Sequence, residues 1–163
     1  MTNAFTVLGV AASFNMLSFV YFEAGELCYW GRHTKRTGTL DKAFAVADRW
    51  LAQYEPGLLI APNYEGTTKG KYSRALIETV AGAAANRKIT CVRTEREWLY
   101  GNKYEEASAL GRLYPQIASL VPTPRKLGQN EPPGMVLFEA LVITHTWHWR
   151  NSITSNELKI PDS

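Results

Sequence analysis

The chain has 163 residues, of which 45% are hydrophobic and 20% charged, with a formal net charge of +3. That length fits one domain burying roughly two-thirds of its unfolded surface, which removes any need for disulfide or metal staples. The small positive excess allows an acidic polymer as partner without selecting one, because nucleic-acid proteins concentrate their basic residues on one face.

Cys28 and Cys91 stand in separate apolar runs with no second ligand at metal spacing, which implies a reduced, cytoplasmic setting and excludes a zinc site. The uncharged stretch from Met1 to Phe22 has no basic leader and is interrupted by Gly9, Ser13, Asn15 and Ser18. It predicts two short strands around a turn, not a signal or membrane helix. These strands are Thr6 to Val10 and Leu17 to Glu23, the apolar run from Phe5 breaking into a turn by Ser13. Glu23-Ala-Gly25 leads tightly into a third strand, Glu26 to Arg32, completing an antiparallel meander.

From Leu40 to Tyr54 the spacing turns helical. Thr39 is the N-cap, Asp41 sits in the first turn, and Leu40, Phe44, Ala47 and Leu51 mark one face before Pro56-Gly57 ends the helix. Leu58 to Ala61 is a continuous apolar run closed by Pro62, the pattern of a parallel strand buried on both faces. Ser73 predicts the cap of a helix through Ala85, Lys88 to Arg93 a fifth strand, and Lys103 to Leu120 a helix interrupted at Pro115. The prolines between Pro122 and Pro133 predict an irregular connection, and Met135 to Trp149 a last apolar helix. One domain over residues 1–150 with a weakly ordered tail at 151–163 is expected.

Three antiparallel strands followed by helix, strand, helix, strand and two helices is the ribonuclease H-like order. The expected fold is therefore α/β, a three-layer arrangement with a mixed five-stranded sheet flanked by helices. Within that superfamily the chain resembles the RuvC-type Holliday junction resolvases. Val7-Leu-Gly-Val-Ala-Ala-Ser13 is similar to the family's opening strand, which normally reads aliphatic-aliphatic-Gly-aliphatic-Asp-Pro-Gly. Gly25-Glu-Leu-Cys-Tyr-Trp-Gly31 is similar to its third strand, and Tyr54-Glu-Pro56 before Leu58-Leu-Ile-Ala61 to the Tyr-x-Pro preceding its fourth. Glu139-Ala-Leu141 resembles the Asp-Ala-Leu of its last helix.

The resemblance implies a chemistry that needs four carboxylates, because two divalent cations about 4 Å apart clamp the attacking water and the leaving oxygen of a phosphodiester. Carried over by position, those carboxylates fall on Ala11, Pro62, Val136 and Glu139, and only Glu139 is acidic. Glu65 and Glu78 are the neighbouring acids that could substitute. Two readings follow. In the first, the protein is a ribonuclease H-like module without nuclease activity or cofactor, binding branched or duplex DNA or a protein partner. In the second, it is a divergent magnesium-dependent endonuclease using Glu65, Glu78 and Glu139. The resemblance also implies a homodimer, with the apolar Ala75 to Ala85 face and Gly82 as its contact.

Phosphate-binding candidates come from local basic clusters: Lys69, Lys71 and Arg74 around the Gly66-Thr-Thr-Lys-Gly-Lys71 loop, and Arg32, Lys35 and Arg36 after the third strand. The loop's glycines let backbone approach a polymer and its threonines can donate to phosphate oxygens, although it lacks Walker spacing. Glu139 is either a relict ligand or half of an ion pair with Arg125 or Lys126. His145, Trp147, His148 and Trp149 are either a base-stacking surface or indoles packed over the sheet. The run Thr94-Glu-Arg-Glu97 reads as solvated, with Trp98 and Tyr100 beyond it near the substrate face.

Overall fold

The computed structural model describes residues 5–14, 16–33, 39–97, 100–124 and 134–159, with side chains through 151. Lys35, Arg36, Trp98, Arg125, Lys126 and most of the proline-rich connection therefore lie outside the described residues. Strands β1 (Thr6–Ser13), β2 (Met16–Glu23) and β3 (Glu26–His33) form the meander. Helix α1 (Leu40–Tyr54), strand β4 (Leu58–Pro62), helix α2 (Lys71–Asn86), strand β5 (Thr90–Thr94), helix α3 (Lys103–Leu113), a 3₁₀ segment (Pro115–Leu120) and helix α4 (Met135–Lys159) follow. The five strands lie in the order β3-β2-β1-β4-β5. β1 pairs antiparallel with β2 and parallel with β4, and β5 runs parallel to β4. This is the expected mixed sheet.

Side chains alternate across a strand, so β1 divides its residues between two cores. Leu8, Val10 and Ala12 pack with Val46, Leu51, Leu76, Ile77 and Val80 of α1 and α2 on one face. Val7 and Ala11 pack with Leu110, Ile117 and Leu141 on the other, under α3 and α4. Gly9 shares the second face and lets α4 lie directly on the strand: a Cβ there would sit 1.7 Å from Thr144 Oγ1.

Several boundaries depart from the sequence expectation. β1 does not turn at Ala11 but pairs through to Ser13, because β2 supplies a partner for every residue, Ala11 opposite Ser18. The buried stripe of α1 is Ala43, Val46, Ala47, Trp50 and Leu51, and Leu40 and Phe44 face outward. The helix is rotated to seat the Trp50 indole on Phe19, ring centroids 4.8 Å apart, since an indole buries more apolar surface than a phenyl ring. α2 starts at Lys71 with Gly70 as its N-cap, so Ser73 is its third residue and not its cap. Lys88, at φ 60°, ends the turn after α2, which delays β5 to Thr90. Pro115 separates α3 from the 3₁₀ segment as predicted. The α4 backbone continues to Lys159, beyond the expected end at Trp149, because no glycine or proline intervenes before Pro161 and each added residue closes one more helical hydrogen bond. Among the described residues no helix is long and apolar enough to cross a membrane.

Candidate functional site

Strand order reverses between β1, which continues to β2, and β4, which leads to β5. Open α/β sheets leave a crevice outside the carboxyl ends of strands at such a point. A groove of about 880 Å³ opens there, and Phe14, Glu65, Lys69, Ser73, Lys103 and Glu139 are among the residues around it.

The four inherited metal-ligand positions converge on this region, but three carry no ligand. Ala11 is fully buried in the α4-side core. Its cross-strand neighbour Ser18 is also buried and donates from Oγ to the Val136 carbonyl at 2.8 Å. Val136 packs its side chain into the same core. Pro62 ends β4, where its carbonyl accepts from Arg93 Nε at 3.1 Å. The space that would hold ligands and ions is thus filled by hydrocarbon and a closed hydrogen bond.

Glu139 is the remaining carboxylate, and its partner is neither Arg125 nor Lys126. Lys69 Nζ lies 2.7 Å from its Oε1, with side chains 23% and 14% exposed respectively. The same ammonium donates to the Ala12 carbonyl at 3.0 Å and sits 5.1 Å from the centre of the Tyr64 ring. Tyr64 contributes its hydroxyl as well: it accepts from Ala12 N–H at 3.1 Å, and its own proton faces both Glu139 Oε2 and the Ala12 carbonyl. Burial, followed by the neighbouring Glu139 charge, pushes the Tyr64 phenol far above its ordinary value, so it acts as a neutral donor. One lysine, one glutamate and one tyrosine therefore tie together the end of β1, the β4–α2 loop and α4. Sequence reasoning did not single out Tyr64, because a tyrosine three residues from a strand end carries no motif.

This donor set does not fit a divalent cation pair. Hard cations need several anionic oxygens, whereas here one carboxylate is already neutralised by a covalently tethered ammonium. Glu65 lines the same groove, but Glu78 lies in a neighbouring depression and pairs with Arg93 Nη1 at 2.8 Å. Among the described residues no three His, Cys, Asp or Glu side chains converge as a metal-binding group.

The basic candidates separate. Lys69 faces inward in its ion pair. Lys71 is exposed on the first turn of α2, and Arg74 braces the loop by donating from Nη2 to the Thr67 carbonyl at 3.0 Å. Arg32 is exposed on the edge strand β3, in register with Ser18 and hence with Ala11. Two further features were not legible in sequence. Phe14 stands 65% exposed at the tip of the β1–β2 hairpin beside the groove. In the run expected to be solvated, Thr94 is buried and Arg96 is paired with Glu106, which is only 2% exposed.

At the far end of α4, Trp147 stacks on Phe5 with centroids 5.9 Å apart, while Trp149 is exposed. His145 Nδ1 is 2.7 Å from the Tyr114 hydroxyl, and His148 Nδ1 lies 3.0 Å from the Thr144 carbonyl. The two imidazoles thus engage separate partners and share no third ligand. Burial lowers the pKa of both histidines below the ordinary 6.5; at His148 the Thr144 carbonyl opposes this shift only in part. The unfolded chain takes up protons near that value while the folded chain resists them. Stability is therefore full above about pH 6.5 and declines as pH falls below it. Thermal unfolding followed from about pH 8 to about pH 5 should show the midpoint dropping over the acidic part, and a flat profile would contradict the assignment.

No protein-family model and no curated protein matches the sequence. Among solved structures, the chain is similar to Thermus thermophilus RuvC, with a TM-score of 0.55 and 14% identity over 90% of this chain and 96% of that one. It is also similar to T. thermophilus RuvC in complex with a Holliday junction substrate, with a TM-score of 0.56 and 15% identity over 90% and 95%. Identity at this level establishes likeness of fold.

Proposed function

From a ribonuclease H-like fold of the RuvC type, we propose that the protein is a nucleic-acid-binding module that has lost nuclease chemistry and takes branched or duplex DNA along its groove. The observation that carries this reading is the Lys69–Glu139 pair: the last inherited carboxylate is held by an ammonium where the fold would otherwise hold cations. A two-metal mechanism has no other anionic support at Ala11, Pro62 or Val136. Binding is a separate matter, since phosphate contacts need cations and amides but no metal. Exposed Lys71 and Arg32, with Phe14 as a surface on which a base can stack, supply the elements of such a contact. The T. thermophilus RuvC structure that holds a Holliday junction substrate makes a branched duplex the first ligand to test.

A homodimer belongs to this reading. The side of α2 open to a second copy is the one carrying Gly82, since Leu76, Ile77, Val80, Ala83 and Ala84 are already buried within the chain.

Calorimetric titration with magnesium and manganese, paired with incubation of the protein with a four-way junction at low salt, tests the proposal. The expected result is no saturable metal binding and a junction bound but uncut, its affinity falling steeply with salt as condensed counterions cease to be released. Cleavage abolished by Glu139→Ala would overturn it in favour of the divergent endonuclease using Glu65, Glu78 and Glu139. Failure to bind any nucleic acid would overturn it in favour of a protein partner.

A further inference from the structure

The N-terminal turn of α2 opens onto the groove and is left without a cap. Its N-cap, Gly70, has no side chain to accept from the first amides, no acidic residue occupies the first turn, and Lys71 and Arg74 place positive charge at the end of the helix that is already positive. Arg74 N–H is satisfied by the Gly70 carbonyl at 3.2 Å, which leaves the Lys71 and Ser73 amides as donors facing outward along the helix axis. The space in front of them is empty of protein: a Cβ built on Gly70 would meet nothing within 4 Å.

A second, independent feature points into the same space. Ser73 lines the groove and is only 8% exposed, yet its hydroxyl has no hydrogen-bond partner among the described residues. A buried hydroxyl normally finds a partner. Here the missing partner lies on the groove side, where two amides and the Lys71 ammonium also converge. All of these groups are donors, so the partner they suit is an acceptor carrying negative charge.

We propose that the first turn of α2 is a phosphate-binding site, formed by the amides of Lys71 and Ser73, the Ser73 hydroxyl and the Lys71 ammonium. Lys69 is not part of it, because its ammonium is committed to Glu139 and the Ala12 carbonyl. Of the groove's carboxylates, Glu139 is neutralised by that pairing, while Glu65 and Glu95 line other parts of the wall. The phosphate is either an internucleotide phosphodiester of a strand in the groove or the phosphate of a free ligand. The first source rests on the nucleic-acid reading above; the site itself does not.

Gly70→Asp separates the site from the fold. The Gly70 backbone, at φ −69° and ψ 164°, is one that aspartate adopts readily as an N-cap, and there is room for its side chain. The new carboxylate would accept from the same amides and repel an anion. Chemical shifts of the Lys71 and Ser73 amides, followed while inorganic phosphate is titrated into the full chain, should move and saturate. In Gly70→Asp those shifts should disappear while the thermal midpoint rises, and four-way-junction affinity should fall by about tenfold, the value of one lost charge-assisted contact. Ser73→Ala, which removes only the hydroxyl, should weaken both ligands in the same direction. Amides that stay still under phosphate, with junction binding unchanged in both variants, would overturn the site and leave the nucleic-acid reading standing. Amides that respond to phosphate in a protein that binds no junction would uphold the site, assign it to a free phosphate-bearing ligand, and overturn the nucleic-acid reading alone.

Discussion

Gly9→Ala is expected to destabilise the protein by about 3 kcal/mol, measured as a lowered urea midpoint with an unchanged slope. A Cβ at this position would stand 1.7 Å from Thr144 Oγ1, 3.0 Å from Thr144 Cβ and 3.2 Å from Val20 Cγ2. Thr144 cannot simply turn away. It is fully buried, and its hydroxyl donates to the Ala140 carbonyl at 2.8 Å. Rotating it would break that bond in a region without water and would still leave its Cβ in the way. The remaining response is for α4 to lift from β1, which opens the core shared by Val7, Ala11 and Leu141. The companion variant Thr144→Ala should cost about 1 kcal/mol alone, the value of a hydrogen bond lost with both partners accounted for. Combined with Gly9→Ala it should recover part of the loss, because the worst contact disappears. Strict additivity of the two changes would show that the helix and the strand do not meet where the structure puts them.

Lys69→Met should produce the second large effect, a loss of about 2 kcal/mol. Breaking a fully buried ion pair costs about 3–5 kcal/mol. The present pair is partly open to water, at 23% and 14% side-chain exposure, which reduces the figure. Without Lys69, the Glu139 carboxylate keeps only the Tyr64 hydroxyl in a setting too dry to solvate it well. Glu139→Gln alone should be milder, because the amide still accepts from Tyr64 and the long lysine side chain can swing its ammonium into the groove. The double variant should be more stable than Lys69→Met, as expected when one charge no longer faces an empty position. Magnesium supplies a sharper criterion. Added to Lys69→Met it should restore nothing, since a single carboxylate is too few anionic ligands for the ion. Recovery of the lost stability by magnesium would identify the groove as a metal site and defeat the reading of a module without nuclease chemistry.

These two variants probe parts of the molecule that were unequally visible in the sequence. The order of strands and helices was legible because each element carries its own periodicity or punctuation: the alternation in β1, the Thr39 cap of α1, the break at Pro115. The loss of carboxylates at Ala11, Pro62 and Val136 was equally plain, being a statement about residue types at fixed places in that order. What sits there instead was not. The Glu139 pairing was expected within the proline-rich connection, at Arg125 or Lys126, because those cations are close in sequence. Lys69, which is 70 positions away, was assigned to phosphate contacts with its neighbours in the loop. The structure folds the β4–α2 loop back over the carboxyl end of β1, and that return turns a lysine that looked solvent-facing inward.

Ser73 shows the same limit from the other side. As a residue type it was read as a helix cap, since serine commonly serves there. Only the placement of α2 three residues earlier leaves its hydroxyl facing the groove instead of an amide of its own helix.

By itself, then, the sequence determined the layered α/β architecture and the absence of three of the four inherited metal ligands, because both follow from local patterns and residue identity. The tertiary structure alone decided which charge neutralises Glu139, how closely α4 approaches Gly9, and where unpaired donors remain. Each of these depends on distances between segments far apart in the chain, and no local propensity encodes such a distance.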